Sequence, residues 1–235
     1  MTLSEYCLFC HEEITSNTNW SSFFKVKTAT YLCPTCEAQL IKIEGDTCNI
    51  CNRPLEKLEP QFVINSRCLD CVRWEEDEEW KGYLLKNESL YEYNTFLKEI
   101  ISQYKFRGDY ILAKIFSTNI QQKLISDTLF VPIPLSAERQ FERGFNQSEA
   151  LIVEAGHSPT HLLERTHSEK QSKKSRYDRI HIPQVFRLKE GRDVADKAIL
   201  LIDDIYTTGS TLRHAAKILM HAGAKSVSSL TIARS

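Results

Sequence analysis

Residues 199–211 read Ile-Leu-Leu-Ile-Asp-Asp-Ile-Tyr-Thr-Thr-Gly-Ser-Thr. The apolar residues at the start are typical of a strand in a parallel sheet, which is buried on both faces. We expect this strand to emerge at Asp203 and Asp204 and to continue into a loop of small hydroxyl residues around Gly209. A helix is predicted to follow over residues 210–221 and to end before Gly223. This strand-loop-helix order predicts an α/β domain.

The loop over residues 207–211 has the composition of an anion site. Backbone N–H groups at a helix N-terminus bind anions, and Gly209 lets the backbone approach one closely. Four hydroxyl groups add donors: Thr207, Thr208, Ser210 and Thr211. The two preceding carboxylates can accept hydrogen bonds from a vicinal diol and can orient Mg²⁺. A phosphate with a diol beside it describes a 5-phosphoribose. The simpler alternative is a helix cap, which needs only one hydroxyl or acid.

Helix and strand patterns alternate along the rest of the chain beyond residue 90. We predict a strand running into a helix across residues 91–104, helices over 110–124 and 146–154, and strands over 128–134 and 227–232. Such alternation is typical of an open, mainly parallel sheet. The sequence contains neither Gly-x-x-x-x-Gly-Lys-Ser/Thr nor Gly-x-Gly-x-x-Gly, which excludes P-loop and Rossmann nucleotide sites.

All eight cysteines precede residue 72 and fall into Cys-x-x-Cys pairs. The pairs are Cys7/Cys10, Cys33/Cys36, Cys48/Cys51 and Cys68/Cys71. Two such turns supply the four thiolates of a closed, tetrahedral zinc site, so the spacing predicts two structural zinc ions. Sequential pairing, which gives two zinc ribbons in tandem, is favoured over a cross-braced arrangement because each half then has the same form. Redox chemistry is the rival function of Cys-x-x-Cys, but the βαβ context that it usually has is missing here.

Composition indicates a protein of the cytoplasm without membrane insertion. The 235 residues carry a net charge of −1, no apolar run reaches the roughly 20 residues of a membrane helix, and the first residues do not resemble a signal peptide. An acidic run, residues 75–79, lies between Trp74 and Trp80 and is either a solvated linker or a hook for a basic partner. We therefore predict a zinc-ribbon domain over residues 1–74, a linker over 75–89 and an α/β domain over 90–235.

A basic segment follows at residues 165–189, with eight Lys or Arg against two acids. It can hold phosphates locally in an otherwise neutral protein, or it can be a solvated loop. Lys173, Lys174 and Arg176 lie at its centre, and we predict that they bind single-stranded DNA weakly and in a salt-dependent manner.

Taken together, these motifs resemble the ComF family, which combines a type I phosphoribosyltransferase fold with an N-terminal double zinc ribbon. Residues 199–211 are similar to the family's phosphoribosyl pyrophosphate (PRPP) motif, and the resemblance extends over the whole chain. Further matching segments are residues 104–109 (Tyr-Lys-Phe-Arg-Gly-Asp), residues 131–134 (Val-Pro-Ile-Pro), residues 143–147 (Arg-Gly-Phe-Asn-Gln), and the pairs Arg165-Thr166 and Gln171-Ser172.

The resemblance implies a role for each part of the site. Asp203 and Asp204 would bind the ribose hydroxyls, and residues 207–211 would hold the 5-phosphate. Lys105 and Arg107 would face the pyrophosphate with its Mg²⁺, while Arg143 and the basic segment would close over the site. Cations at these positions suit a pyrophosphate leaving group on chemical grounds as well.

The resemblance also implies a function in the DNA uptake of natural transformation, together with a ComFA translocase acting on the incoming single strand. Two other functions stay open. The chain can be an active phosphoribosyltransferase that joins PRPP to a nucleobase-like acceptor, or a regulator that senses PRPP. Its expected small-molecule partner is PRPP or ribose 5-phosphate.

Overall fold

The computed structural model describes residues 5–14, 30–123, 127–166 and 185–235. Its strands are β1 (Glu5–Tyr6), β2 (Glu13–Ile14), β3 (Val63–Ile64), β4 (Arg67–Cys68), β5 (Asn87–Glu92), β6 (Thr128–Pro132), β7 (Leu163–Arg165), β8 (Phe186–Leu188), β9 (Ala198–Tyr206) and β10 (Ser226–Arg234). Its α-helices are α1 (Pro34–Glu37), α2 (Leu69–Glu76), α3 (Thr95–Phe106), α4 (Lys114–Gln121), α5 (Ala137–Arg143), α6 (Gln147–Glu154) and α7 (Ser210–His221). Short 3₁₀ turns cover Pro60–Phe62 and Tyr110–Ala113.

Four parallel strands form the central sheet, in the order β5-β10-β9-β6. The prediction of a mainly parallel α/β sheet is confirmed. Strand β9 is longer than predicted, because its pairing with β10 continues to the partners Ala233↔Ile205 and Arg234↔Tyr206. Asp203 and Asp204 therefore lie within the last residues of the strand rather than beyond its end.

Helices cover both faces of the sheet, and alternate strand residues point into two separate cores. Ile202 and Leu230 belong to the core formed with α3, α4 and α6. Leu201 and Val227 belong to the core formed with α7, β7 and β8. In α3 the predicted apolar stripe is buried, and Asn94 caps the helix by accepting a hydrogen bond from the Leu97 N–H at 2.8 Å.

The cysteine-rich segment covers the open edge of the sheet at β5. Lys42 forms an antiparallel bridge with Tyr91, and the Asn87 N–H donates to the carbonyl of Ile50 at 2.6 Å. Unpaired edges of sheets invite association with other chains, and here the N-terminal segment pairs with part of the β5 edge. Each cysteine group also joins one of the two cores, so both are packed against the sheet. The domain boundaries drawn at residues 74 and 89 stay predictions.

The acidic run is paired within the chain. Glu75 Oε1 lies 2.8 Å from Arg213 Nη1, and Glu79 Oε1 lies 2.9 Å from Lys217 Nζ, both on α7. The two flanking tryptophans are buried. These contacts join the segment after the last cysteine pair to the helix that follows the hydroxyl-rich loop. Over the part of the chain that the structure describes, no helix has the length and apolar composition needed to cross a bilayer.

Candidate functional site

Two adjacent carboxylates stand at the carboxyl end of β9, where ligands bind in open α/β sheets. Asp203 Oδ1 accepts hydrogen bonds from Ser148 Oγ at 3.2 Å and from the Asp204 N–H at 2.9 Å. Asp204 Oδ2 lies 2.7 Å from Lys105 Nζ, with the side chains 12% and 16% exposed. The structure thus brings together three of the side chains predicted from the sequence or implied by the resemblance: Lys105, Asp203 and Asp204.

The pKa of Asp203 is raised to about 7, first by burial and then by the charge of Asp204. Lys105 and the hydroxyl of Ser148 partly oppose this shift. Near neutral pH the carboxyl of Asp203 therefore changes between its neutral and ionised forms. The contacts described use one oxygen of each carboxylate, and carboxylate oxygens suit both ribose hydroxyls and Mg²⁺. The donor set fits the Mg²⁺-bound phosphoribose that the resemblance implies.

The loop after β9 leads directly into the N-terminus of α7. Gly209 has a φ of +79°, and a Cβ added there would lie 2.1 Å from the hydroxyl oxygen of Tyr206, so glycine alone fits this position. The Ser210 N–H approaches Thr208 Oγ1 at 3.4 Å. Thr207 and Thr211 are exposed. The loop therefore presents hydroxyl groups and the first N–H groups of a 12-residue helix next to the two carboxylates.

Side chains distant in sequence hold the carbonyl groups of this loop. Arg234 Nη1 donates to the carbonyl oxygens of Tyr206 and Thr207 at 3.2 and 3.1 Å. Trp74 Nε1 donates to the carbonyl of Thr208 at 3.0 Å. Three successive carbonyls are thus fixed by side-chain donors, which restricts the conformation of the loop.

The turn between α5 and α6 places Arg143 and Ser148. Helix α5 ends at Arg143, and the Gly144 that follows it has a φ of 77°. Asn146 then caps α6 by accepting a hydrogen bond from the Ser148 N–H at 2.9 Å. Arg143 Nη1 donates to Gln147 Oε1 at 2.7 Å across this turn. Burial lowers the pKa of Arg143, and the negative charges of Asp204 and Asp203 oppose that effect, so Arg143 lies within electrostatic reach of both carboxylates.

Arg107 and Arg165 have surroundings that differ from those of Lys105 and Arg143. Arg107 is exposed just after α3, and among the described residues it forms no ion pair. Burial lowers the pKa of Arg165 on β7, with Arg139 acting in the same direction and Asp203 opposing it. The DNA-binding prediction cannot be compared with the structure, because it concerns Lys173, Lys174 and Arg176, which lie outside the described residues.

Sequence reasoning missed Ser148, Trp74 and Arg234. Ser148 directly follows the Arg-Gly-Phe-Asn-Gln segment and lies on the first turn of α6, so the motif alone could have included it. Trp74 and Arg234 contact the loop from positions 134 and 27 residues away along the chain, and no local pattern indicates such contacts.

The eight cysteines form two groups with sequential pairing. The first comprises Cys7, Cys10, Cys33 and Cys36, and the second Cys48, Cys51, Cys68 and Cys71; in each group all sulfur atoms lie within 4.8 Å of one another. The Cys10–Cys33 and Cys51–Cys68 sulfur pairs are both 3.6 Å apart. Four sulfurs at about 2.3 Å from a tetrahedral zinc are separated by about 3.8 Å, so both groups fit zinc. Cross-braced pairing is excluded.

Comparison with known proteins agrees with this architecture. A family model described as phosphoribosyl transferase domain matches residues 151–235, which include β9, the loop and α7. The competence protein ComFC of Bacillus subtilis (strain 168) is 37% identical, over 97% of this chain and 95% of its own length. The competence protein ComFC of Streptococcus pneumoniae is 33% identical, over 97% of this chain and 99% of its own length.

Among solved structures, a hypoxanthine phosphoribosyltransferase from Staphylococcus aureus is 16% identical, with coverage of 55% of this chain and 65% of that chain. Its TM-score of 0.34 is too low to add to the fold assignment. That assignment rests instead on the parallel sheet, the phosphoribosyl transferase domain match and the two N-terminal cysteine groups. With near-complete coverage of two ComFC proteins at more than 30% identity, the chain belongs to the ComFC family of competence proteins and has a phosphoribosyltransferase-like fold.

Proposed function

We propose that this chain binds PRPP or ribose 5-phosphate at the carboxyl end of β9, and that this binding supports DNA uptake in natural transformation. One observation carries the proposal. Two carboxylates, one of them paired with Lys105, adjoin a loop whose hydroxyls and helix N-terminus suit a phosphate. The carboxylates would accept hydrogen bonds from the ribose hydroxyls, and residues 207–211 would bind the 5-phosphate.

The pyrophosphate of PRPP carries the greatest charge in such a ligand. When bound, Mg²⁺ would neutralise part of this charge. Lys105 is paired with Asp204 in the structure, so it keeps a cation within the pocket, and Arg143 is held nearby by Gln147. Arg107 is exposed at the end of α3 and would reach the pyrophosphate from outside.

The role in competence is supported by the names of the two ComFC relatives. We propose that the chain works in the cytoplasm with a ComFA-like DNA translocase and contacts the incoming single strand through its basic segment. The zinc groups would supply folding energy rather than catalysis, because a Cys₄ zinc site has no open coordination position.

An active phosphoribosyltransferase is the second candidate, and the grouping of Lys105, Asp203 and Asp204 at the end of β9 favours it. Phosphoribosyl transfer requires mainly positioning and charge neutralisation, so the absence of a nucleophile motif from the sequence does not count against it. The sequence shows no recognisable hood for an acceptor base. Release of pyrophosphate from PRPP and Mg²⁺ in a screen of nucleobase-like acceptors distinguishes an enzyme from a protein that only binds.

The competence role is tested by complementation of a transformable strain that lacks its own ComFC. The wild-type chain and the control Asp196→Asn, which changes an exposed aspartate in a turn, should restore transformation. Asp204→Asn should not, because it removes the charge that pairs with Lys105 and that would accept hydrogen bonds from the ribose hydroxyls. Equal transformation by all three chains would mean that the pocket has no part in DNA uptake. Co-purification of a ComFA-like translocase with the wild-type chain tests the partner directly.

A further inference from the structure

The second cysteine group, Cys48, Cys51, Cys68 and Cys71, is connected by Arg234 to residues 206–211, the proposed phosphate loop. Arg234 is 5% exposed and lies at the end of β10. Its Nη2 donates to Cys51 Sγ at 3.4 Å, while its Nη1 donates to the carbonyls of Tyr206 and Thr207. The guanidinium also lies over the ring of Tyr206, 4.9 Å from its centre. One buried side chain thus contacts both a zinc-ligand sulfur and the backbone of the loop.

Helix α2 makes a second connection between the same two places. It begins directly after Cys68 and includes Cys71, so the cysteine group fixes its first turn. Four residues after Cys71 along this helix, Glu75 pairs with the fully buried Arg213 of α7 at 2.8 Å. The adjacent Trp74 donates to the carbonyl of Thr208 and lies 5.1 Å from the guanidinium carbon of Arg213.

The first cysteine group has a different environment. Its buried members Cys7, Cys33 and Cys36 belong to the core on the α3 side of the sheet, where Phe9 packs on Phe96 with ring centres 4.9 Å apart. The members of the second group belong to the other core, together with Tyr206 and α7. Trp74, which follows Cys71 on α2, donates to the carbonyl of Thr208, and Arg234 donates both to Cys51 of the second group and to the loop.

We propose that the second cysteine group controls the conformation of the phosphate loop through Arg234 and Trp74, so that zinc occupancy and phosphoribose affinity depend on each other. A zinc-bound thiolate is negative and accepts a strong hydrogen bond from a guanidinium. Partners that donate to metal-bound ligands fix the ligand and are themselves fixed by it. Loss of zinc lets the thiolate of Cys51 take up a proton, which weakens this acceptor, and it releases the first turn of α2. Both donors to the loop then lose part of what holds them in place. The ligand side of this proposal rests on the proposed phosphoribose site.

The contacts can be removed one at a time in the zinc-loaded full chain. Arg234→Lys keeps the positive charge but loses the planar group that contacts sulfur and two carbonyls together. Its matched control is Arg53→Lys, since Arg53 binds Asp70 of α2 at 3.1 Å and has no contact with the loop among the described residues. Trp74→Phe removes only the indole N–H and ring size. Its control is Trp80→Phe, because the Trp80 Nε1 donates no hydrogen bond within the described structure and phenylalanine keeps an aromatic ring against Trp74, whose ring centre lies 5.5 Å away.

Titration calorimetry with ribose 5-phosphate gives the first readout. We expect Arg234→Lys and Trp74→Phe to weaken binding by about fivefold or more, in the range of typical couplings between sites, while both controls stay within about twofold of the wild type. Unchanged affinity in both variants would overturn the coupling and leave the proposed phosphoribose site intact. Should Arg234→Lys fail to fold, Trp74→Phe decides alone.

Hydrogen exchange of residues 206–211 gives a readout that needs no ligand. Amides in this loop should exchange faster in Arg234→Lys and Trp74→Phe than in the controls, and faster still after zinc is removed. If the wild type binds no ribose 5-phosphate, the proposed function fails, but loop exchange still decides whether the cysteine group controls the loop. Exchange that is equal in variants and controls overturns the control of the loop.

The rate of zinc release gives the third readout, because two coupled sites affect each other's affinity equally. Ribose 5-phosphate should slow the transfer of zinc from the second group to a chelator in the wild type, and should have a smaller effect in Arg234→Lys. Cys10→Ser weakens the first group alone and identifies which zinc is released. Equal release with and without bound ribose 5-phosphate in the wild type would contradict the mutual dependence.

Discussion

Replacing Lys105 with Met tests the ion pair in the pocket. Lys105 Nζ lies 2.7 Å from Asp204 Oδ2, with the side chains 16% and 12% exposed. Removing one partner of a fully buried pair costs roughly 3–5 kcal/mol. Because both side chains keep some solvent contact, we expect Lys105→Met to lower the free energy of unfolding by about 2 kcal/mol at pH 8.

Lys105→Met should lower the free energy of unfolding less at pH 6 than at pH 8, because the protonation of Asp203 changes over this range. Its pKa of about 7 is raised above the ordinary value, so the folded state binds more protons than the unfolded state between about pH 4 and pH 7. Stability from this group is therefore lost as pH rises through 7. Lys105 opposes the shift, and its removal strengthens it. At pH 6 a protonated Asp203 no longer repels Asp204, which reduces the cost of the missing cation.

Urea unfolding of the zinc-loaded protein at both pH values measures this effect. Lys98→Met is the matched control, because Lys98 is exposed on the same helix and its removal should change stability by less than about 0.5 kcal/mol. If Lys105→Met matches Lys98→Met at pH 8, the ion pair contributes nothing. If the loss is the same at pH 6 and pH 8, the account of Asp203 is wrong.

Three further outcomes are expected. The affinity for ribose 5-phosphate should rise by about tenfold from pH 6 to pH 8, because Asp203, with a pKa of about 7, becomes ionised. In calorimetry, Asp203→Asn should show only the pH dependence that comes from the ligand's own phosphate. Metal analysis should find about two zinc ions per chain. Chelation should lower the melting temperature of the whole chain, because each cysteine group shares a core with the sheet. A protein that is folded without zinc would contradict both expectations. Exchanging Lys173, Lys174 and Arg176 for Glu should weaken single-strand binding and flatten its salt dependence, and unchanged fluorescence anisotropy at low salt would place the DNA site elsewhere.

Local patterns were sufficient where local chemistry determines the structure. The apolar run of β9, the following carboxylates and the glycine turn are contiguous, and the structure places them as one unit. Cysteine spacing likewise predicted sequential pairing, which the sulfur positions confirm. The predicted strand ended too early, because pairing with β10 extends β9 beyond its apolar residues.

Contacts across the chain could not be predicted in this way. The Arg234–Cys51 contact joins residues 183 positions apart, and the coverage of β5 by the cysteine-rich segment depends on the folded sheet. The acidic run was compatible with a linker or a hook, since charge alone cannot show that Glu75 meets a buried arginine. In each case the partner is selected by the tertiary structure rather than by neighbouring residues.

Titration calorimetry of the zinc-loaded chain with PRPP and Mg²⁺ tests most directly whether the carboxyl end of β9 binds phosphoribose. We predict saturable binding by the wild type, weakened by about 1–3 kcal/mol in Asp203→Ala and in Asp204→Ala, with the fold retained in both variants. Absence of binding by the folded wild type at millimolar PRPP would contradict the proposed binding, and only the inherited fold would then connect this chain to phosphoribosyltransferases.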